Sequence, residues 1–200
     1  MTENAQQWGV LTESHQILSS AVAGVPSNGW ELPTPCSEWN VTQVLQHASL
    51  DQLLYVSSIT GVAKPDGDAF HPSGELSESP LSYVDDAIRA SRDAFASVSA
   101  RAEAVPVPLP PFTVPAWLAA GAAALDAAVH GWDIAVATGQ TAQLSPSLAK
   151  ELLKVAENLV EPLRAWGAYA PAIEPPADAD DAARLLYFLG RNPNWTPSQA

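Results

Sequence analysis

The chain has 200 residues, 47% of them hydrophobic and 16% charged, and nine Lys plus Arg against 22 Asp plus Glu give a formal net charge of −13. That length suits one domain with a substantial core, the apolar content excludes a disordered chain, and the charge argues against a nucleic-acid or anionic-membrane partner. A single cysteine, Cys36, excludes an internal disulfide and any multi-cysteine zinc site.

The opening residues, Met1 to Trp8, have neither a basic region nor an apolar core of the secretory kind, and the longest apolar run, 114–125, is too short to span a bilayer. A soluble cytoplasmic protein is expected. The first predicted helix covers about 5–24, with Leu11, His15, Leu18 and Val22 on one face. A turn-rich stretch from Pro26 leads to a second start, where Asn40 followed by Gln43 forms a capping-box pattern, and this helix should run to about Thr60 and stop at Gly61. Residues 61–79 are rich in Gly, Pro, Asp and Ser and have no apolar period, so a lid or binding loop is expected.

Ser79-Pro80 places a cap before a proline at the first helical position. The helix behind it should end near Arg101, turning Val84, Ile88, Ala94, Phe95 and Val98 inward. The proline-rich run from Val105 to Phe112 is extended, because each proline disfavours helix at the residue before it. An Ala-rich helix, apolar nearly all round, then spans 115–138 and stops at Gly139, which is the pattern of a helix buried in a core. Ser145-Pro146 begins a fifth helix that Pro162 should kink or end. Past a linker at 171–180, a short helix from Asp181 to Leu189 closes the chain. There are no repeats, no dinucleotide fingerprint, no P-loop and no nucleophile elbow. Strand signals are weak. The expected fold is all-α, a bundle at about 5–140 with a C-terminal helical extension at about 145–190.

Two charged or polar groups interrupt the Ala-rich helix four residues apart, Asp126 and His130. At that spacing both leave one face, and a carboxylate is costly to bury alone. Either Asp126 accepts a hydrogen bond from the imidazole or pairs with an arginine, or a metal ion meets both. His47, on the second helix, shares a face with Val44 and Asp51. With it, two histidines and one carboxylate from two helices would form a three-ligand site with an open position, as in catalytic zinc and equally in two-His-one-carboxylate iron centres.

The stretch Thr34-Pro-Cys36-Ser-Glu-Trp39 to His47 resembles the helix-two signature of the DinB-like metalloprotein superfamily. Within it the resemblance is to the mycothiol-dependent maleylpyruvate isomerase N-terminal domain group. Asp126 to Gly139 is similar to that group's second signature, and Leu185 to Trp195 to the C-terminal signature of its short actinobacterial metal-binding branch. The resemblance implies a DinB-like four-helix bundle and a divalent metal held by His47, Asp126 and His130. Zinc is expected first, with Ni2+, Fe2+, Mn2+ or Co2+ compatible with the same ligands. The isomerase proper has Glu at the acidic position and carries a further C-terminal domain.

The function so implied is a metal-dependent transferase or isomerase acting on a small electrophile, with a low-molecular-weight thiol such as mycothiol as cofactor. A metal-dependent hydrolase, lyase or cyclase without thiol, and a non-catalytic metal-binding bundle, are the alternatives. Asp51 and Gln43 are candidates for positions beside His47, His15 for a place lining the cavity, and Asp133 for an acceptor that orients a ligand or pairs with Arg191. Cys36, Trp39, Trp132 and Trp195 read as packing residues. A small-molecule substrate is the expected partner, and a homodimer is allowed.

Overall fold

The computed structural model describes residues 8–142, 144–165 and 167–197. Six α-helices lie among them: α1 (Gly9–Ala23), α2 (Val41–Thr60), α3 (Pro80–Ala96), α4 (Ala116–Ala137), α5 (Pro146–Arg164) and α6 (Asp181–Phe188). Two short strands, β1 (Val105–Pro106) and β2 (Thr113–Val114), pair antiparallel with Val105 opposite Val114. The architecture is all-α, as expected, and no described helix is long and apolar enough to cross a membrane.

Local chemistry sets the helix ends. The Asn40 side chain accepts from the Gln43 backbone while the Gln43 side chain accepts from the Asn40 backbone, so the capping box forms and α2 begins there. Ser79 and Ser145 cap α3 and α5, each with proline at the first position. The third helix is shorter than its apolar period suggests. It ends at Ala96 because the Ser97 backbone and hydroxyl both bond the Ala94 carbonyl, closing the last turn. Pro162 lies inside α5, which stops two residues later at Arg164.

Of the 22 residues of α4, only Trp117, Asp126 and Val136 are not buried. This helix is therefore the axle of the molecule, packed against α1, α2 and α5. Gly131 permits a close approach to α1, since a Cβ there would lie 3.0 Å from the Leu18 backbone. One half of the core gathers Leu11, Phe95, Leu125, Leu152 and Leu185, and the other half gathers Leu18, Val44, Leu45, Val84 and Ile134. Asp126 is the single polar gap in the long buried helix, and it faces α2.

Candidate metal centre

His47 projects from the middle of α2 and Asp126 and His130 from consecutive turns of α4. Their Nε2 and Oδ1 atoms meet: His47 Nε2 and His130 Nε2 each lie 3.3 Å from Asp126 Oδ1. One ligand atom from each of the three residues can be chosen so that all lie within 4.8 Å of one another. The ring centroids of the two histidines are 4.7 Å apart and nearly perpendicular. The side chains of His47, Asp126 and His130 are 12%, 14% and 9% exposed.

Each imidazole is oriented from behind. His47 Nδ1 donates to the Ala69 carbonyl at 2.6 Å, and His130 Nδ1 donates to Asp133 Oδ2 at 2.9 Å. A neutral ring that donates through Nδ1 presents a lone pair at Nε2. Where both rings are neutral, two such lone pairs converge on a carboxylate oxygen and repel it, and a proton on Nε2 or a cation between them removes the repulsion. The second oxygen, Asp126 Oδ2, is buried and has no hydrogen-bond partner. These are the features a metal ion would satisfy.

The electrostatics agree. Burial alone would raise the Asp126 carboxyl, but the charge of His130 and hydrogen bonds from His130 and His47 hold it well below the usual carboxylate range. Burial alone would lower His130, but Asp126 and the bonds to Asp126 and Asp133 raise it well above its ordinary value. The site thus favours positive charge at His130 Nε2, and a proton there stands where a metal would.

A second group of potential ligand atoms, Cys36, His130 and Asp133, lies on the far side of the His130 ring. It is a poorer place for a cation. Arg191 Nη2 stands 2.8 Å from Asp133 Oδ2 and 3.3 Å from Cys36 Sγ, so the positive charge that this group can accommodate is already present.

The remaining sequence candidates separate. Asp133 does both things anticipated for it, accepting from His130 and pairing with Arg191. Asp51 is half-buried, and its carboxyl is pushed well above the ordinary range by burial and then by the charge of Asp126. Gln43, one helical turn before His47, has its amide engaged: it caps α2 and donates to the Pro72 carbonyl at 3.0 Å, holding the loop. His15 is likewise engaged. It is buried and bonds Gln52 Oε1 at 2.9 Å, in a core network completed by Ser91 and the Ala123 carbonyl.

Cys36 is more than packing, because Sγ donates to Asp133 Oδ2 at 3.3 Å and accepts from Arg191. Trp39 packs in the core and also stacks over His47, with ring centroids 4.6 Å apart. Thr34 explains both placements. Its hydroxyl donates to the Trp39 carbonyl and accepts from the Cys36 amide, folding the Thr34–Trp39 loop around one side chain. Trp132 is buried, and Trp195 packs on the same half of the core as Trp39.

The 61–79 loop lies over α2, where Gln46 bonds Ser73, Gly74 and Glu75. It brings the Ala69 carbonyl and the half-exposed Phe70 ring to His47. Tyr169, from the segment after α5, was not marked by any pattern. It lies within electrostatic range of Asp126 and Asp51, its hydroxyl pushed up to about 12 by burial and then by Asp126. Two surface hollows, of about 220 and 610 Å3, are lined by other residues and include none of the three.

The family described as the mycothiol maleylpyruvate isomerase N-terminal domain matches residues 11–135, which include His47, Asp126 and His130. The chain belongs to this family. Two uncharacterized proteins, from two strains of Mycobacterium tuberculosis, are each 32% identical over 185 residues, covering 89% of this chain and 93% of theirs. Crystal structures of the mycothiol-dependent maleylpyruvate isomerase superpose with TM-scores of 0.60 for a histidine-to-alanine variant and 0.59 for the unmodified protein. The alignments cover 86% of this chain and 75% of the isomerase, at 11% and 13% identity, so this likeness establishes the bundle fold.

Proposed function

We propose that His47, Asp126 and His130 hold a divalent metal ion, zinc first. On this reading the chain is a metal-dependent transferase or isomerase that acts on a small electrophile with a low-molecular-weight thiol, mycothiol being the thiol the family name suggests. The observation that carries the metal reading is the convergence of two imidazole Nε2 atoms, both fixed from behind, on a carboxylate whose second oxygen is orphaned. Three protein ligands leave a coordination position for an exogenous group. An ion bound there supplies the positive charge that lets a thiol sulfur shed its proton near neutral pH.

The protein's own residues do the rest. Trp39 packs near both His47 and His130, and Phe70 meets His47 edge-on, so apolar surface adjoins the ligands and strengthens the local charges. Asp51 retains a proton at higher pH than an ordinary carboxyl and sits one helical turn past His47, suited to donate at Oδ to a substrate developing negative charge.

Stoichiometric Zn2+ on the wild-type protein, with loss in both His47→Ala and Asp126→Ala, is the expected result of elemental analysis. A folded wild-type protein that takes up no divalent ion at all would overturn the reading. Turnover that needs metal but no thiol would transfer it to a hydrolase, lyase or cyclase.

A further inference from the structure

The two imidazoles are supported in different ways. His47 bonds a main-chain carbonyl, Ala69 O, so its orientation depends on a loop backbone. His130 bonds a side chain, Asp133 Oδ2, and that side chain is completely buried and held by a residue 58 positions further along the chain. Arg191 grips it with a fork: Nε lies 2.9 Å from Oδ1 and 3.2 Å from Oδ2, and Nη2 lies 2.8 Å from Oδ2. Cys36 Sγ closes the network, 3.3 Å from both Arg191 Nη2 and Asp133 Oδ2.

From this geometry we propose that Arg191 is a positioning residue for the metal ligand His130, acting through Asp133. The proposal rests on the metal reading above. Its physical basis is the planarity of both partners. A guanidinium bonded to both carboxylate oxygens fixes the carboxylate plane and so restricts the directions from which Oδ2 can receive the imidazole N–H. The ring plane follows, and with it the direction of the Nε2 lone pair. Without Arg191, Asp133 would be a buried charge lacking its counter-charge, and His130 would have to answer for it. Arg191 lies outside the 11–135 family match, so the support for an in-family ligand comes from the segment after α6. His47, held independently, serves as an internal control.

The experiment compares wild type with Arg191→Met and Arg191→Lys in the full chain. Zn2+ affinity is measured by competition with a chelator, the Co2+-loaded proteins are compared by visible absorption, and the imidazole N–H resonances are followed by long-range 1H–15N NMR in the metal-free proteins. Loss of an outer partner of a metal-bound histidine weakens binding by about 10–100-fold, so Arg191→Met should fall in that range. Arg191→Lys, which keeps charge but not the fork, should fall less far. The Co2+ bands should shift, and the His130 Nδ1–H resonance should broaden or vanish while that of His47 persists. Unchanged affinity, unchanged Co2+ bands and an intact His130 resonance in Arg191→Met would overturn the proposal. If that variant does not fold, the same set of unchanged values in folded Arg191→Lys would overturn it. If wild type binds neither ion, the metal reading fails by itself, and the ring resonances of the metal-free proteins still decide whether Arg191 positions His130.

Discussion

At Gly190 the backbone turns with φ +77°, and the chain that has just left α6 folds back on it. The Arg191 amide bonds the Leu186 carbonyl and the Gly190 amide bonds the Tyr187 carbonyl, the paired bonds of a Schellman ending. A Cβ at Gly190 would stand 2.7 Å from the Pro171 carbonyl and 2.8 Å from the Ala170 Cβ. Gly190→Ala should therefore destabilise the protein by about 2 kcal/mol, from left-handed strain plus the clash. Urea unfolding would measure it, and a loss below about half a kcal/mol would contradict the geometry. A second prediction concerns His15. Burial lowers its pKa, and a charge from Arg92 adds to that against the opposing bond to Gln52. The unfolded chain takes up a proton as pH falls through about 6.5 while the folded chain resists. The His15 contribution is thus complete above that pH and is lost as pH drops through the lower folded-state value. In metal-free protein, the wild-type unfolding free energy should decline more steeply from pH 7 to pH 5 than that of His15→Gln. Parallel curves would remove His15 as the cause.

Between elements, the contact of α2 with the 61–79 loop bears on the centre through His47. Gln46 is buried at the seam, where its amide donates to Ser73 Oγ and the Glu75 carbonyl and its oxygen accepts from the Gly74 amide. Gln46→Ala forfeits these three bonds and leaves the Gly74 amide and the Glu75 carbonyl without this partner, at a cost of about 1–3 kcal/mol. Because the same loop supplies Ala69 O to His47, hydrogen exchange should quicken across 66–76 in this variant, and Zn2+ affinity should fall with it. Protection equal to wild type would show that the loop is held some other way. Much at this scale was legible in the sequence. The Asn40–Gln43 box, the Ser-Pro starts and the Ala-rich helix announce themselves through local chemistry that tertiary packing did not override. The loop was visible only as an absence of pattern. Nothing local says that Gln43 and Gln46 point at it, since an amide on a helix reads the same whether it meets a substrate or a loop carbonyl. His15 is similar: its place on the apolar face was legible, but the polar core network with Gln52 that satisfies it was not.

Across the whole molecule, the three proposed ligands come from two helices that need no metal to be packed together. α2 and α4 meet through Val44, Leu45, Ala48, Ala127 and Ile134, all fully buried, and α4 is clasped on other sides by α1 and α5. That His47 of α2 meets Asp126 and His130 of α4 could be read from helical spacing together with the resemblance to known signatures. Arg191 could not, because a contact between residues 133 and 191 depends on how α5 and α6 return the chain to the bundle, and no periodicity encodes that path. This construction differs from a zinc finger, where binding free energy is folding free energy. Here the apo protein should keep its helix content, and the ion should act on stability by mass action. At free Zn2+ one hundred times the dissociation constant, the gain is about 2.7 kcal/mol. Circular dichroism of EDTA-treated protein should match that of the loaded form, while the unfolding midpoint rises with added Zn2+. His47→Ala should show the same apo spectrum and no such rise. A metal-free chain that loses its helices would mean that the core around α4 cannot hold without the ion. A rise that survives in His47→Ala would mean that zinc binds elsewhere.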